Sequence, residues 1–177
     1  MQGNHRFTNQ NASSVEKNDL IFKMTNAGRL KLTGQVIETL HQYKQIDKDS
    51  LESGGVLLGR FIKGSKNIVI DKITTPLKGD KQTRYSFKRI SPLHQEIITD
   101  EWHKSKGTCN YLGEWHTHPE NFPTPSDVDI RDWKRKLKKD VFSSRYLYFI
   151  IAGIKSIDMW EGDRRTLEVV KLKIINE

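Results

Sequence analysis

Tyr111-Leu112-Gly113-Glu114-Trp115-His116-Thr117-His118-Pro119-Glu120-Asn121-Phe122-Pro123-Thr124-Pro125-Ser126-Asp127-Val128-Asp129 spells out a strand, a stiff loop and the start of a helix. The first eight residues read as a buried strand, in which side chains two apart share a face, so His116 and His118 point the same way. Pro119 ends the strand because it has no N–H for the ladder, and Pro123 and Pro125 keep the following loop extended. From Ser126 a helical pattern opens with Ile130, Trp133 and Leu137 on one stripe. Asp129 lies in the first turn, within reach of the two imidazoles.

Two histidines and one aspartate leave one position of a tetrahedral site open. That is the ligand count of a catalytic zinc, whose fourth position holds a water with its pKa lowered to about 7. We therefore expect Zn²⁺ on His116, His118 and Asp129. Each fragment alone has a plainer reading, since His-x-His occurs on strands by chance and Ser126-x-x-Asp129 before an apolar stripe is an N-terminal capping box. Their combination around a proline-stiffened spacer favours the metal, and the capping role of Ser126 stays open beside it. Alternation also puts Glu114 on the histidine face, either as an acceptor orienting an imidazole N–H or as a plain exposed carboxylate.

The pattern His116-x-His118-Pro119, six residues, Ser126, two residues, Asp129 resembles the signature of the JAMM or MPN-plus zinc metallopeptidases, and no motif position departs from it. That family places a glutamate upstream, just before a small-residue run entering a strand, and Glu52-Ser53-Gly54-Gly55-Val56-Leu57-Leu58-Gly59 looks like that element. On its own Glu52 would read as a surface glutamate, one of 22 acidic residues. The resemblance spans residues 19 to 175 in element order. It implies a cytidine-deaminase-like α/β sandwich, with a mixed sheet flanked by helices. It also implies Glu52 as the general base that takes a proton from water and later gives it to the leaving amine, with Ser126 hydrogen-bonding the developing oxyanion. Deaminase chemistry itself is disfavoured, because its zinc signature needs His-x-Glu and Pro-Cys-x-x-Cys, and Cys109 is a lone cysteine.

Family members with the complete motif hydrolyse isopeptide or peptide bonds after the C-terminal tail of ubiquitin or ubiquitin-like proteins. The compact length, Glu52-Ser53-Gly54-Gly55 and Gly113-Glu114-Trp115-His116-Thr117-His118-Pro119 look most like the CD-NTase-associated deconjugating peptidases of bacterial CBASS antiphage operons. The implied partner is a protein with a ubiquitin-like or conjugated C-terminal tail, such as a nucleotide cyclase joined to a target by an E1/E2-like enzyme. Two alternatives stand beside this reading: maturation of a sulfur-carrier protein, and a non-catalytic scaffold of the kind formed by motif-lacking relatives. The intact Glu52, His116, His118, Ser126 and Asp129 argue against the scaffold.

Outward from the motif, 177 residues suit one domain, read as residues 19–177 behind a polar N-terminal tail, residues 1–18, that is too poor in apolar side chains to offset the entropy of ordering. No run approaches the roughly 20 apolar residues of a membrane helix, and the N-terminus lacks a signal-peptide core. Cys109 has no internal disulfide partner, which points to the cytoplasm, and it reads as a small hydrophobe near the start of the central strand. The net charge of +8 is scattered, except for Lys134-Arg135-Lys136 and Lys138-Lys139. We read that cluster as a solvated helix face rather than a nucleic-acid patch, since no nucleic-acid module motif accompanies it.

The remaining elements follow from periodicity and turn signals. We expect a strand at Leu20–Met24, a turn at Asn26-Ala27-Gly28, and a helix from an N-cap at Thr33 to about Ile46 with Val36, Ile37, Leu40 and Tyr43 inward. A strand at Val56-Leu57-Leu58 and one at Ile68–Ile73 form a hairpin that brings Glu52 to one end of the sheet. Residues 75–90 read as a long loop with a turn at Gly79-Asp80 and a short strand at Arg84-Tyr85-Ser86-Phe87. The resemblance implies that this insertion holds a substrate tail as an added strand, with Lys78, Lys81 and Arg84 guiding an acidic partner. Ser91-Pro92 opens a helix carrying Leu93, Ile97, Ile98 and Trp102 that stops at Gly107. Tyr146–Ala152, Ser156–Trp160 and Thr166–Ile174 complete the list as strands in meander order, which predicts a mixed sheet.

Overall fold

A computed structural model describes residues 19–175, so the tail expected over residues 1–18 lies outside the described residues. The chain begins with β1 (Leu20–Lys23), turns at Asn26-Ala27-Gly28 into β2 (Arg29–Leu32), and continues through α1 (Gly34–Gln42) to β3 (Gly54–Phe61) and β4 (Ile68–Ile73). A small hairpin, β5 (Lys81–Thr83) and β6 (Ser86–Lys88), precedes α2 (Leu93–Lys104) and the central strand β7 (Asn110–Thr117). Then come α3 (Asp127–Lys139), β8 (Tyr146–Ala152), β9 (Ile157–Asp163), β10 (Val169–Lys171) and β11 (Lys173–Ile174).

Nine strands form one sheet in the order β10-β9-β8-β7-β3-β4-β2-β1-β11. It is mixed, as expected: β7 runs parallel to β8, and β2 to β4, while the other pairs are antiparallel. The segment read as one last strand is in fact two. Val169–Lys171 pairs with β9 at one edge of the sheet, and Lys173–Ile174 pairs with β1 at the other. Only Leu172 separates them, so the sheet curls until its edges nearly meet, which removes most of the exposed edge. Inside the curl, Phe22, Leu30, Leu57, Trp115, Tyr148, Ile150, Met159 and Leu172 pack with Val36 and Leu40 of α1. Outside it, α3 covers β8 and β9 through Trp133 and Leu137, with Trp133 stacked on Phe149 at 4.7 Å. α2 covers Val56, Leu58 and the buried Cys109.

Several local expectations need correction. β2 was not anticipated: four residues following a tight turn carry too little pattern to be read as a strand. α1 ends at Gln42 rather than near Ile46, because the residues beyond it turn back, and Gln45 is buried with its amide on the backbone of Ser50 and Arg84. Arg84-Tyr85 is the turn between β5 and β6 rather than the start of a strand. The apolar face expected of α2 is only partly buried. Ile97 and Ile98 face the sheet, but Leu93 and Trp102 are 41% and 47% exposed, and the residue with no exposure is His94.

His94 is buried in a polar relay. Its Nε2 lies 2.7 Å from Asp80 Oδ2 and its Nδ1 2.7 Å from Thr74 Oγ1, which itself accepts the Val56 N–H at 2.9 Å. Asp80 also accepts the backbone N–H groups of Leu77, Ile90 and Ser91, closing the base of the insertion. Burial alone would push the Asp80 carboxyl up, but these backbone donors and His94 bring it down to about 2.

Strict alternation fails once on β7, at a place that matters for the site. Leu57 pairs with Gly113 but Leu58 with Tyr111, so Leu112 is an extra residue and joins the inner core with Trp115. Gly113 makes this bulge with φ +143, and a Cβ there would stand 1.8 Å from the Tyr148 carbonyl oxygen. We expect Gly113→Ala to destabilise the fold by about 3 kcal/mol, read as a lower denaturant midpoint with an unchanged slope.

Candidate metal centre

The site lies at the end of β7, on the outer face of the curl. Glu114 and His116 alternate on that face while Trp115 and Thr117 are buried inward, and His118 follows immediately, its N–H donated to Ala152. The loop from Pro119 is pinned to the β8–β9 turn: Glu120 O accepts the Ile154 N–H at 2.7 Å, and Asn121 O accepts that of Lys155 at 2.9 Å. Pro123 is buried against Gly153. The chain is therefore fixed on both sides of the spacer, and α3 starts where its first turn faces the histidines.

His116 Nε2 and His118 Nε2 stand 3.0 Å apart, with Asp129 Oδ1 3.2 Å from the first and Asp129 Oδ2 3.5 Å from the second. One ligand atom from each of the three residues falls within 4.8 Å of the others. Donors at 2.0–2.2 Å from a common tetrahedral ion are about 3.3 Å apart, so the residues fit a divalent metal of zinc's size and its preference for imidazole and carboxylate. Ser126 and Asp129 form a full capping box. The Asp129 N–H donates to Ser126 Oγ at 3.2 Å, while the Ser126 N–H and hydroxyl donate to Asp129 Oδ2 at 2.7 and 2.6 Å. The cap and the cluster are thus one arrangement, in which Ser126 holds Oδ2 beside His118 and leaves Oδ1 to His116. Burial pushes the Asp129 carboxyl up, but His116, His118 and Ser126 outweigh it and hold it below the usual carboxylate range. The His118 imidazole is raised in turn by Asp129, Glu52 and Glu120 against the cost of burial.

Glu52 lies two residues before Gly54, the first residue of β3, which pairs with His116, so the two-residue period carries its side chain to the histidine face. The residue is 7% exposed. The insertion holds it in place: the Glu52 N–H donates to Thr83 O at 2.7 Å, Gln82 Nε2 donates to Glu52 O at 2.9 Å, and the Phe87 N–H meets its carboxylate. The Phe87 ring lies over Gly54, where a Cβ would stand 2.4 Å from it. Burial pushes the Glu52 carboxyl above its ordinary range, against the pull of His116 and His118. A carboxyl raised in this way, beside a cluster of ligand atoms, is suited to exchanging a proton near neutral pH.

A groove of about 900 Å³ opens from this cluster. Tyr85, Phe87 and Ile90 of the insertion line one side, Val128 and Trp133 of α3 the other, and Glu114 lies along it. Glu114 departs from one expectation, because it bonds neither imidazole. Arg89 Nε and Nη2 donate to its Oε1 at 3.1 and 2.6 Å, and Lys136 Nζ lies 3.2 Å from its Oε2. Lys136 is likewise not part of a solvated face. It is 8% exposed, held by Glu114 and Asp132, and its place seven residues after Asp129 and three after Trp133 is the sequence signal for the inward stripe of α3. Arg84 is fastened in place, since its guanidinium donates to backbone carbonyls of the 47–50 loop, including Asp47 O at 2.8 Å. Among the described residues no helix is long and apolar enough to cross a membrane.

Residues 35–166 match the family described as prokaryotic homologs of the JAB domain. The chain is 33% identical over 159 residues to an Escherichia coli (strain TW11681) protein named CD-NTase/cGAS isopeptidase, covering 90% of this chain and 97% of that one. It is 32% identical over 153 residues to a protein of the same name from Vibrio cholerae, covering 86% of this chain and 94% of that one. Among solved structures, the solution structure of a protein from Desulfitobacterium hafniense superposes with a TM-score of 0.53 at 20% identity, over 81% of this chain and 88% of that one, a likeness of fold.

Proposed function

Because the chain belongs to the family of prokaryotic homologs of the JAB domain, we propose that it is a zinc-dependent isopeptidase that releases a target from the C-terminal tail of a conjugated protein. The observation that carries this is the convergence of His116, His118 and Asp129 beside a buried Glu52, at the head of an open groove. His116, His118 and Asp129 would hold the zinc. When bound, it supplies Lewis acidity, which polarises a carbonyl and acidifies a water. Glu52 takes the proton from the attacking water, holds it in its partly desolvated carboxyl, and delivers it to the leaving amine. Ser126 lies at the ligand cluster as both helix cap and hydroxyl donor, and we assign it the developing oxyanion, reached by turning its hydroxyl away from Asp129.

The relatives' name, CD-NTase/cGAS isopeptidase, supports a CD-NTase as the conjugated substrate, and we take its tail to be joined to a target by an E1/E2-like enzyme. On this reading the protein reverses conjugation in the cytoplasm as part of antiphage defence. The groove suits such a tail, because it leads to the ligand cluster and is flanked by β6, an edge strand of the two-stranded sheet. The test incubates zinc-loaded protein with a reporter fused behind a CD-NTase C-terminal tail, with and without a zinc chelator. We expect cleavage at the tail junction that the chelator stops. Tight binding of the tail with no cleavage by zinc-loaded protein would leave a scaffold and refute the enzyme.

A further inference from the structure

Three elements meet at Glu114, and none of them is a metal ligand. Arg89 directly follows β6 at the end of the insertion, Lys136 comes from α3, and Glu114 itself sits on β7 about 7 Å along the strand from His116. Its carboxylate takes two hydrogen bonds from Arg89 on one oxygen and faces Lys136 on the other. All three side chains are largely enclosed, at 16%, 28% and 10% exposure. Screening by water is therefore weak: Arg89 places both its side-chain hydrogen bonds on Glu114, while Lys136 is shared between Glu114 and the nearer Asp132. The opposite side of the insertion is held separately, by Asp80 at its base and by Gln82 and Thr83 on the backbone of Glu52. On the groove side the C-terminal end of β6 is fixed by the Phe87 N–H on the Glu52 carboxylate, the Phe87 ring on Gly54 and the Arg89–Glu114 pair.

Resting on the isopeptidase reading, we infer that Glu114 is a positioning residue: it ties the insertion through Arg89 to α3 through Lys136, and so sets the width of the groove and the place of β6, against which the substrate tail is laid. Without the carboxylate, Arg89 loses the acceptor of both its hydrogen bonds, Lys136 keeps Asp132 alone, and the β6 end past Phe87 swings out. The tail then loses its strand partner, while the ligand cluster and Glu52 stay where they are.

The experiment compares Glu114→Gln, Arg89→Ala and the double variant in three measurements. In amide hydrogen exchange, residues 86–90 are expected to exchange faster in each single variant, with residues 54–61 of β3 unchanged. With the tail fusion, KM is expected to rise about tenfold or more while kcat stays within about twofold, the scale of a lost charge-assisted hydrogen bond. Binding of the uncleaved fusion to zinc-loaded Glu52→Gln should weaken by the same factor when Glu114→Gln is added. Because the pair acts as one clamp, the double variant should be no worse than the worse single. Unchanged exchange at 86–90, a fall in kcat with KM unmoved, strictly additive effects, or loss of zinc from Glu114→Gln would each overturn the assignment. If wild-type protein cleaves no tail, the isopeptidase reading fails while the exchange measurement still decides the clamp.

Discussion

Glu52→Gln is expected to keep its zinc and its fold and to lose turnover by about 10²- to 10⁴-fold, the usual contribution of a positioned general base. The amide is nearly isosteric with the carboxylate and can still accept the Phe87 N–H, so the insertion stays docked on Thr83 and Gln82, whose bonds are to the Glu52 backbone. What it cannot do is take a proton. The measurement is kcat on the tail fusion, with zinc per chain determined on the same preparation. Full turnover in a zinc-loaded Glu52→Gln protein would remove Glu52 from the mechanism. A zinc-free Glu52→Gln protein would make it a ligand instead of a base.

His116→Ala and Asp129→Ala are expected to take zinc content from about one per chain to near zero, and turnover to background, because a three-ligand site loses one third of its donors. The two variants should differ in stability. His116 contributes its ring to the cluster and to a tilted contact with Trp133, whereas Asp129 also accepts the Ser126 N–H and hydroxyl in the capping box. Asp129→Ala should therefore cost about 1 kcal/mol more in the absence of metal, the typical worth of a helix cap. Asp129→Asn keeps an acceptor for the cap and should recover most of that difference without recovering turnover. A ligand that binds only the native state stabilises by mass action, so a chelator should lower the melting temperature of wild-type protein and leave that of either alanine variant unmoved. Zinc retained in both alanine variants would place the metal elsewhere.

The cluster of His116, His118 and Asp129 was legible in the sequence because it depends on short-range rules. A two-residue period puts His116 and His118 on one face, prolines fix the spacer, and Ser126 with Asp129 marks a helix start, all within one segment whose local geometry survives folding. The mixed sheet was legible for the same kind of reason, from element order and alternation. Glu52 became readable only through resemblance, since nothing local distinguishes it from other acidic residues, and the cross-strand pairing of Gly54 with His116 is what carries it to the metal face.

The remaining features are set by contacts between distant parts of the chain. The split of the last strand across Leu172 requires both sheet edges to be present at once, and the bulge at Gly113 reverses the facing of Leu112 through pairing with β3. Glu114 shows the division most directly. Alternation placed its side chain correctly beside the histidines, but its partners, Arg89 and Lys136, come from 25 residues before it and 22 after it. Local periodicity fixes the direction in which a side chain points; what it meets there is decided by the packing of other elements. The sequence thus determined the clustering of His116, His118 and Asp129 and the helix cap beside them, while the partner of Glu114, the enclosure of Lys136 and the closing of the sheet were decided by tertiary structure alone.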